Sequence, residues 1–328
     1  MEALMRKSIV IGFFALLFAC SALNAQYEAM SGEDDVLHRL NETIGYYLGT
    51  IRSLNEIEAR VPELKYEAFQ LRTKFKNEYE EAWKNLEAWN KFVFGPEFLS
   101  SLSGRMDKEY ADLYFDADNS RIFLDDIRQR LKGEIPEQTL KTLLYFKYIH
   151  NPQKEIADGH YEWFNTKSHP KSTGLEIKLK VPQSFKLEEG DRPHIVQRFR
   201  EMDGDILGAI HTLLINQIPS TEGEQDVTLQ PEWVSKEWVV EMFELKPADV
   251  LSYEKVSIDG IPFAAIECKQ YKSAATGTIE MTNLIYFTVF KNRMIMLTFG
   301  NNEPANLARN RMLYKTIAGS MVFMDKWK

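Results

Sequence analysis

From Asp34 to about Arg60, apolar residues recur at Leu37, Leu40, Ile44, Tyr47, Ile51, Leu54 and Val61. Steps of three and four predict a helix with one apolar stripe. Val61-Pro62 interrupts it, and proline suits the first position of a new helix, with Glu63 at its positive end. A second stripe follows at Leu64, Ala68, Leu71, Phe75, Ala82, Leu86 and Trp89. The two form a long helical hairpin, which Gly95-Pro96 closes. A looser stretch over 96–118 is followed by two shorter helices. One spans about Asn119 to Lys132, with Ile127 and Leu131 inward and Gly133 as its C-terminal cap. The other starts at Pro136 and carries Leu140, Leu143, Leu144 and Ile149 up to Asn151-Pro152. One helix pair cannot hide all these faces, so residues 33–150 are read as a helical bundle.

The period then changes from 3.6 to 2. Leu175, Ile177, Leu179 and Val181 alternate with Glu176, Lys178 and Lys180, a half-buried strand that ends at Pro182. Asp203-Gly204 and Asp259-Gly260 each separate two strand-like runs and supply the positive-φ positions of tight hairpins. Lys291-Asn292-Arg293 joins Thr282–Phe290 to Met294–Phe299 in a third. Helical stripes lie at 232–243 and 304–318, and Ser320 to Phe323 forms a short last strand. The fold class expected is α+β: an N-terminal helical bundle, a connector over 151–173, and an antiparallel-sheet α/β/α sandwich over 174–328.

Ahead of both lie Arg6 and Lys7, the uncharged apolar run Ile9 to Ala19, and small residues ending at Ala25. This is the layout of a signal peptide over 1–25. The run is about eleven residues, short of the roughly twenty a membrane span needs. Cleavage after Ala25 and lipidation of Cys20 (Leu17-Phe18-Ala19-Cys20) are both open, with Phe18 bulky for the second. The chain is expected to be exported, periplasmic or extracellular, and membrane-bound only if Cys20 is lipidated.

The chain has 328 residues, 44% hydrophobic and 27% charged, with a formal charge of −8. An acidic balance gives no electrostatic reason to expect nucleic acid. Two cysteines, Cys20 and Cys268, are too few for a disulfide framework or a thiolate metal site.

The segment GLEIKLKVPQSFKLEEGDRPHIVQRF, with the opening Val181-Pro182-Gln183-Ser184-Phe185, then sheet and helix and the ending YKTIAGSMVF, resembles the PsbP-like α/β/α sandwich. That family includes the lumenal extrinsic protein of photosystem II, a Ran-binding nuclear import factor and DcrB-type periplasmic lipoproteins. The resemblance covers residues 172 to 326 and leaves the helical half outside. It implies a sandwich fold and a non-enzymatic binding or assembly role, and brings no catalytic signature with it.

Asp116, Asp118 and Ser120 have the spacing that opens a calcium loop. Arg121 stands where glycine is needed and Ile127 where a bidentate glutamate is needed, so a capped helix start is the better reading. His150, Asp158, His160 and His169 are the densest set of metal-type ligands, but none has a zinc-site spacing. No metal and no cofactor is expected. Cys268 shares strand parity with Ala264 and Ile266, so its thiol faces the core. No Gly-x-Ser-x-Gly elbow or phosphate loop occurs. The sequon at Asn41 lies on a helix, and the loop from Pro219 to Pro231, with Glu222, Glu224 and Asp226, reads as an acidic excursion.

Lys167, His169, Lys171, Arg192 and His194 flank the first strand and could gather as a cationic patch on an acidic protein, suited to an anionic partner. The function expected is a binding or assembly factor of the cell envelope, whose partner is another envelope protein or a small ligand. The alternative is a hydrolase using His160 and His169 in a cleft between the halves.

Overall fold

The computed structural model describes residues 34–111, 113–190, 192–201, 210–218, 226, 228–274, 277–301 and 304–326. The chain divides into two compact units, Met1–Ile149 and His150–Lys328.

In the first unit, α1 (Asp34–Arg60) runs antiparallel to α2 (Lys65–Phe94) across a short 3-10 turn, Pro62–Leu64. Their stripes meet in a core of Leu54, Ile57, Val61, Leu64, Ala68 and Leu71, completed by Leu124 and Ile127. Tyr47 stacks on Trp83 at 4.5 Å, and Glu58 pairs with Arg72 at 2.9 Å across the hairpin.

The stretch read as loose contains α3 (Glu97–Ala111), which buries Leu102, Met106 and Tyr110 four residues apart. Ser100 and Ser101 before Leu102, and Ser103 and Gly104 after it, dilute the apolar signal. Helix α4 (Ala117–Arg130) begins two residues earlier than expected. The helix start is capped as expected, but by Asp116 rather than Asp118 or Asn119: its carboxylate accepts from the Asn119 amide at 2.8 Å. Gly133 takes the positive φ expected after it. Helix α5 (Glu137–Tyr148) lies on α2, with the Asn85 amide donating to the Phe146 carbonyl at 2.8 Å.

The second unit has two antiparallel sheets. One has three strands in the order β1-β2-β10: Tyr161–Asn165, Ile177–Pro182 and Val322–Phe323. The other orders seven strands as β3-β4-β5-β9-β8-β7-β6. These are β3 (Lys186–Glu189), β4 (Ile195–Arg200), β5 (Ile210–Gln217), β6 (Val250–Ile258), β7 (Ile261–Ala274), β8 (Gly277–Phe290) and β9 (Arg293–Asn301).

Between the sheets lies the main core. It holds Ile177, Leu179 and Val181 of β2, Phe199, Leu213, Leu297 and Phe299 of the large sheet, and Leu313, Tyr314 and Ile317 of α8 (Pro304–Gly319). The far face carries a second core, where Val239 of α7 (Lys236–Met242) meets Ile266, Cys268, Ile285 and Phe287. Helices on both faces of an antiparallel sheet give the α+β class read from the sequence.

Asp259-Gly260 turns β6 into β7 with φ of 49° and 73°, and Lys291-Asn292 turns β8 into β9 with φ of 50° and 57°. Those left-handed pairs match the twist of the hairpins. The Asp203-Gly204 turn, and the acidic loop with Glu222 and Glu224, lie outside the described residues, as does the segment 1–33.

Residues 151–173 are no plain connector. They carry α6 (Gln153–Ala157), β1 and a 3-10 turn, Pro170–Ser172, and β1 pairs with β2 along its whole length, Tyr161 opposite Pro182 to Asn165 opposite Lys178. The segment belongs to the second unit. Its apolar residues do not alternate: Tyr161 and Phe164 pack on the core while Glu162 and Trp163 between them are exposed, which gives no period-2 signal.

Candidate functional site

The Pro170–Ser172 turn begins at His169, whose ring Nδ1 accepts the Lys171 amide at 3.2 Å. Lys171 then reaches across to the β3–β4 reversal, where its ammonium donates to the Gly190 carbonyl and pairs with Glu189 at 3.1 Å. Gly190 is pressed on Ile195: a Cβ there would stand 2.1 Å from the Ile195 carbonyl oxygen, so only glycine fits. The His194 carbonyl accepts the Ile215 amide at 3.0 Å and joins the same end of the sheet to β5.

The five expected residues thus divide. Lys171, Arg192 and His194 attach to one reversal and His169 caps the turn beside it. Lys167 sits on the same loop, exposed, with its amide donating to the Asn165 side chain. Lys171 is spent on a carbonyl and a carboxylate, so Lys167 and Arg192 carry the exposed charge.

Arg293, absent from the sequence-based set, is built into this end. Its guanidinium donates to the carbonyls of Thr173 (2.7 Å) and Lys291 (2.8 Å), fixing the left-handed Thr173. Nothing in its sequence context separates it from other strand-end arginines.

The side chains of catalytic type that do converge are elsewhere, and sequence reasoning missed them. Glu201, just past β4, is enclosed in the main core. One carboxylate oxygen meets His211 Nε2 at 2.8 Å and accepts from the Tyr314 hydroxyl at 2.6 Å; the other accepts from the Asn310 amide at 2.7 Å. Tyr314 also lies flat on Phe299, 4.4 Å between ring centres.

Burial pushes the Glu201 carboxyl up, but His211, the Tyr314 hydroxyl and the Arg309 charge outweigh it and hold the group below the usual carboxylate range. Burial first and the Glu201 charge second push the Tyr314 hydroxyl well above its usual value. His211 is 0% exposed and Glu201 3%. His211 Nδ1 has no hydrogen-bond partner among the described residues. A signal did exist: His211 shares strand parity with Leu213 and Ile215, so an imidazole had to point inward.

A second enclosed carboxylate lies on α6. Glu155 accepts from the Ser184 amide at 2.7 Å and bonds the Ser184 hydroxyl at 2.7 Å. Burial dominates here and pushes its carboxyl up to about 7, with the Ser184 bonds opposing and the Glu201 charge adding.

His160 directly precedes β1, and His169 lies four residues past its end, in a turn closed by its amide on the Thr166 carbonyl at 2.9 Å. Among the described residues no group of three or more His, Cys, Asp or Glu is placed to hold a metal ion. Cys268 is buried, and burial pushes its thiol up to about 12, so it has almost no thiolate near neutral pH.

No family model matches this chain, and no curated protein does. Among solved structures it is similar to the solution structure of cyanobacterial PsbP (CyanoP) from Synechocystis sp. PCC 6803. That match has 13% identity over 50% of this chain and 92% of that one, with a TM-score of 0.35. It is also similar to a crystal structure from Bacteroides thetaiotaomicron VPI-5482, with 11% identity over 45% of this chain and 44% of that one and a TM-score of 0.27. A PsbP-like likeness over part of the chain is found in the solved structures.

Proposed function

We propose that the chain is an exported, non-enzymatic binding or assembly factor of the cell envelope, whose partner is another envelope protein or a small ligand, met at the Lys167–Arg192 end of the second unit. One observation carries this reading. The constellation with catalytic chemistry, Glu201, His211 and Tyr314, is shut inside the core, while exposed polar chemistry gathers on the loops around Lys167 and Arg192. A general base must come within hydrogen-bond reach of the proton it removes, and an enclosed imidazole meets no substrate. The buried set instead ties β4, β5 and α8 together by charge-assisted hydrogen bonds to Glu201, and α8 to β9 through the Tyr314–Asn301 bond.

Export is supported by the order of charge, apolar run and small residues over 1–25. Mass analysis of the N-terminus of protein recovered from its host tests it: a start at Gln26, or a lipidated Cys20, agrees, and an intact Met1 contradicts it. For the binding site, Lys167→Ala with Arg192→Ala should weaken cross-linking to envelope partners. The loss should shrink at high salt, since screening acts over about 10 Å at 0.1 M. Unchanged cross-linking with the fold intact moves the site elsewhere. Hydrolytic turnover abolished by His211→Gln in a folded protein would overturn the non-enzymatic reading.

A further inference from the structure

The reversal between α2 and α3 exposes large apolar side chains, as Tyr66, Phe69 and Tyr114 do elsewhere in the helical unit. Ten consecutive residues, Lys91 to Ser100, include none that is buried, and six of them are apolar: Phe92, Val93, Phe94, Pro96, Phe98 and Leu99. Phe92 is 88% exposed and Val93 45%. The tip is braced from below. Phe94 stacks on Phe98 at 4.9 Å and meets Trp89 edge-on at 6.0 Å, and Trp89 meets the buried Phe146 at 6.3 Å. Rings therefore run from the bundle core out to the surface. Lys91 is paired with Glu87 at 2.8 Å, so the tip's nearest cation is already answered.

The N-terminal end of α1 lies at the same end of the hairpin. Tyr47 stacks on Trp83, and the two helices run antiparallel with equal rise. Asp34, thirteen residues before Tyr47, is then level with the chain thirteen residues beyond Trp83, the Gly95-Pro96 turn. The 33 residues before Asp34, with the apolar run Ile9 to Ala19 and Cys20, join the bundle beside the exposed aromatic tip.

We propose that this tip rests in a lipid surface, with Phe92 and Val93 dipping into the boundary between headgroups and acyl chains. A convex turn offers no groove for a peptide, while large apolar side chains on a stiff projection fit an interface apolar on one side and wet on the other. The segment with membrane chemistry in its sequence joins the fold at this end and no other. Apolar insertion supplies the contact without anionic lipid, because the one cation of residues 91–100, Lys91, is paired with Glu87. The inference rests on the chain keeping this segment, uncleaved or lipidated at Cys20, and is separate from the binding role above.

The test uses the full chain carrying Cys20→Ser, floated with phosphatidylcholine vesicles, so that the uncleaved apolar run holds it there in every case. A cysteine is placed at the tip (Val93→Cys) or at the other end of the hairpin (Glu63→Cys) and labelled with a polarity-sensitive fluorophore, Cys268 being buried. Equal helical signal shows that both variants fold. The label at 93 should shift to the blue on vesicle addition and lose about half or more of its emission to nitroxide lipids, insertion reaching about 5–10 Å. The label at 63 should do neither. A label at 93 that stays wet on floated protein overturns the proposal. So does one already blue without vesicles and unchanged by them, which would mean the chain's own N-terminal segment covers the tip.

Discussion

Glu155→Gln should make the second unit more stable at neutral pH and remove a slope from its stability profile. The carboxyl is folded with a pKa of about 7 against an ordinary 4.5, burial being the main cause. At about 1.4 kcal/mol for each factor of ten in proton affinity, that difference is worth about 3 kcal/mol. The sign follows from proton counting. Between about pH 4.5 and 7 the folded state holds a proton that the unfolded state has released. Stability from this group is therefore fully present below 4.5, falls as pH rises through the window, and is flat above about 7.

Glutamine keeps the geometry. Its carbonyl can accept the Ser184 amide, now 2.7 Å from one oxygen, and its amide can donate to the Ser184 hydroxyl, now 2.7 Å from the other. It stays neutral at every pH. Urea unfolding of both proteins, followed on the second unit at steps from about pH 5 to 8, should show an advantage of the variant that is small at acid pH. It should grow toward about 3 kcal/mol at the alkaline end. Ser184→Ala, which removes a bond favouring the charged form, should steepen the wild-type slope. A pH-independent difference, or a variant less stable at about pH 8, would refute the claim that Glu155 is a buried acid forced to ionise.

Four further outcomes follow from the same geometry. Gly190→Ala should destabilise by about 2–4 kcal/mol, seen as a lower melting temperature, because its Cβ would collide with the Ile195 backbone. Tyr314→Phe should lose about 1.5–3 kcal/mol in urea unfolding, leaving a buried carboxylate one donor short at 2.6 Å. Cys268 should react with a thiol reagent only at the rate of unfolding, and fast labelling in native buffer would contradict its burial. Lys167→Ala with Arg192→Ala should shift stability by less than about 0.5 kcal/mol, since neither exposed cation supports the core.

Legibility in the sequence tracked how regularly a segment alternates. The α1–α2 hairpin, β2 and the turns at Asp259-Gly260 and Lys291-Asn292 were readable because each follows one period or one dipeptide rule. Helix α3 was hidden by small polar residues around Leu102, and its stripe of Leu102, Met106 and Tyr110 is one residue wide. Strand β1 was hidden because it is an edge strand with little to bury. The basic loops were visible as charges in sequence, but not that Lys171 would be consumed by Gly190 and Glu189. That needed the β3–β4 reversal to be placed first.

The enclosed carboxylates show why buried polar chemistry resists reading from sequence. Glu201 and Tyr314 are 113 residues apart, and their bond exists only once β4 and α8 face each other across the core. The same kind of side chain then takes opposite behaviour from its neighbours. Glu201 has an imidazole, a hydroxyl and an amide within hydrogen-bond reach and the Arg309 charge beyond them, so its ionised form is favoured despite full burial. Glu155 has the Ser184 donors, the Gln183 amide and a like charge from Glu201, and burial prevails. Removing the Glu201 charge should therefore lower the Glu155 pKa as well, whereas Glu155→Gln leaves every bond to Glu201 in place. The repulsion between the two carboxylates acts on both alike, so the contrast comes from the imidazole and the Arg309 charge beside Glu201, which Glu155 lacks.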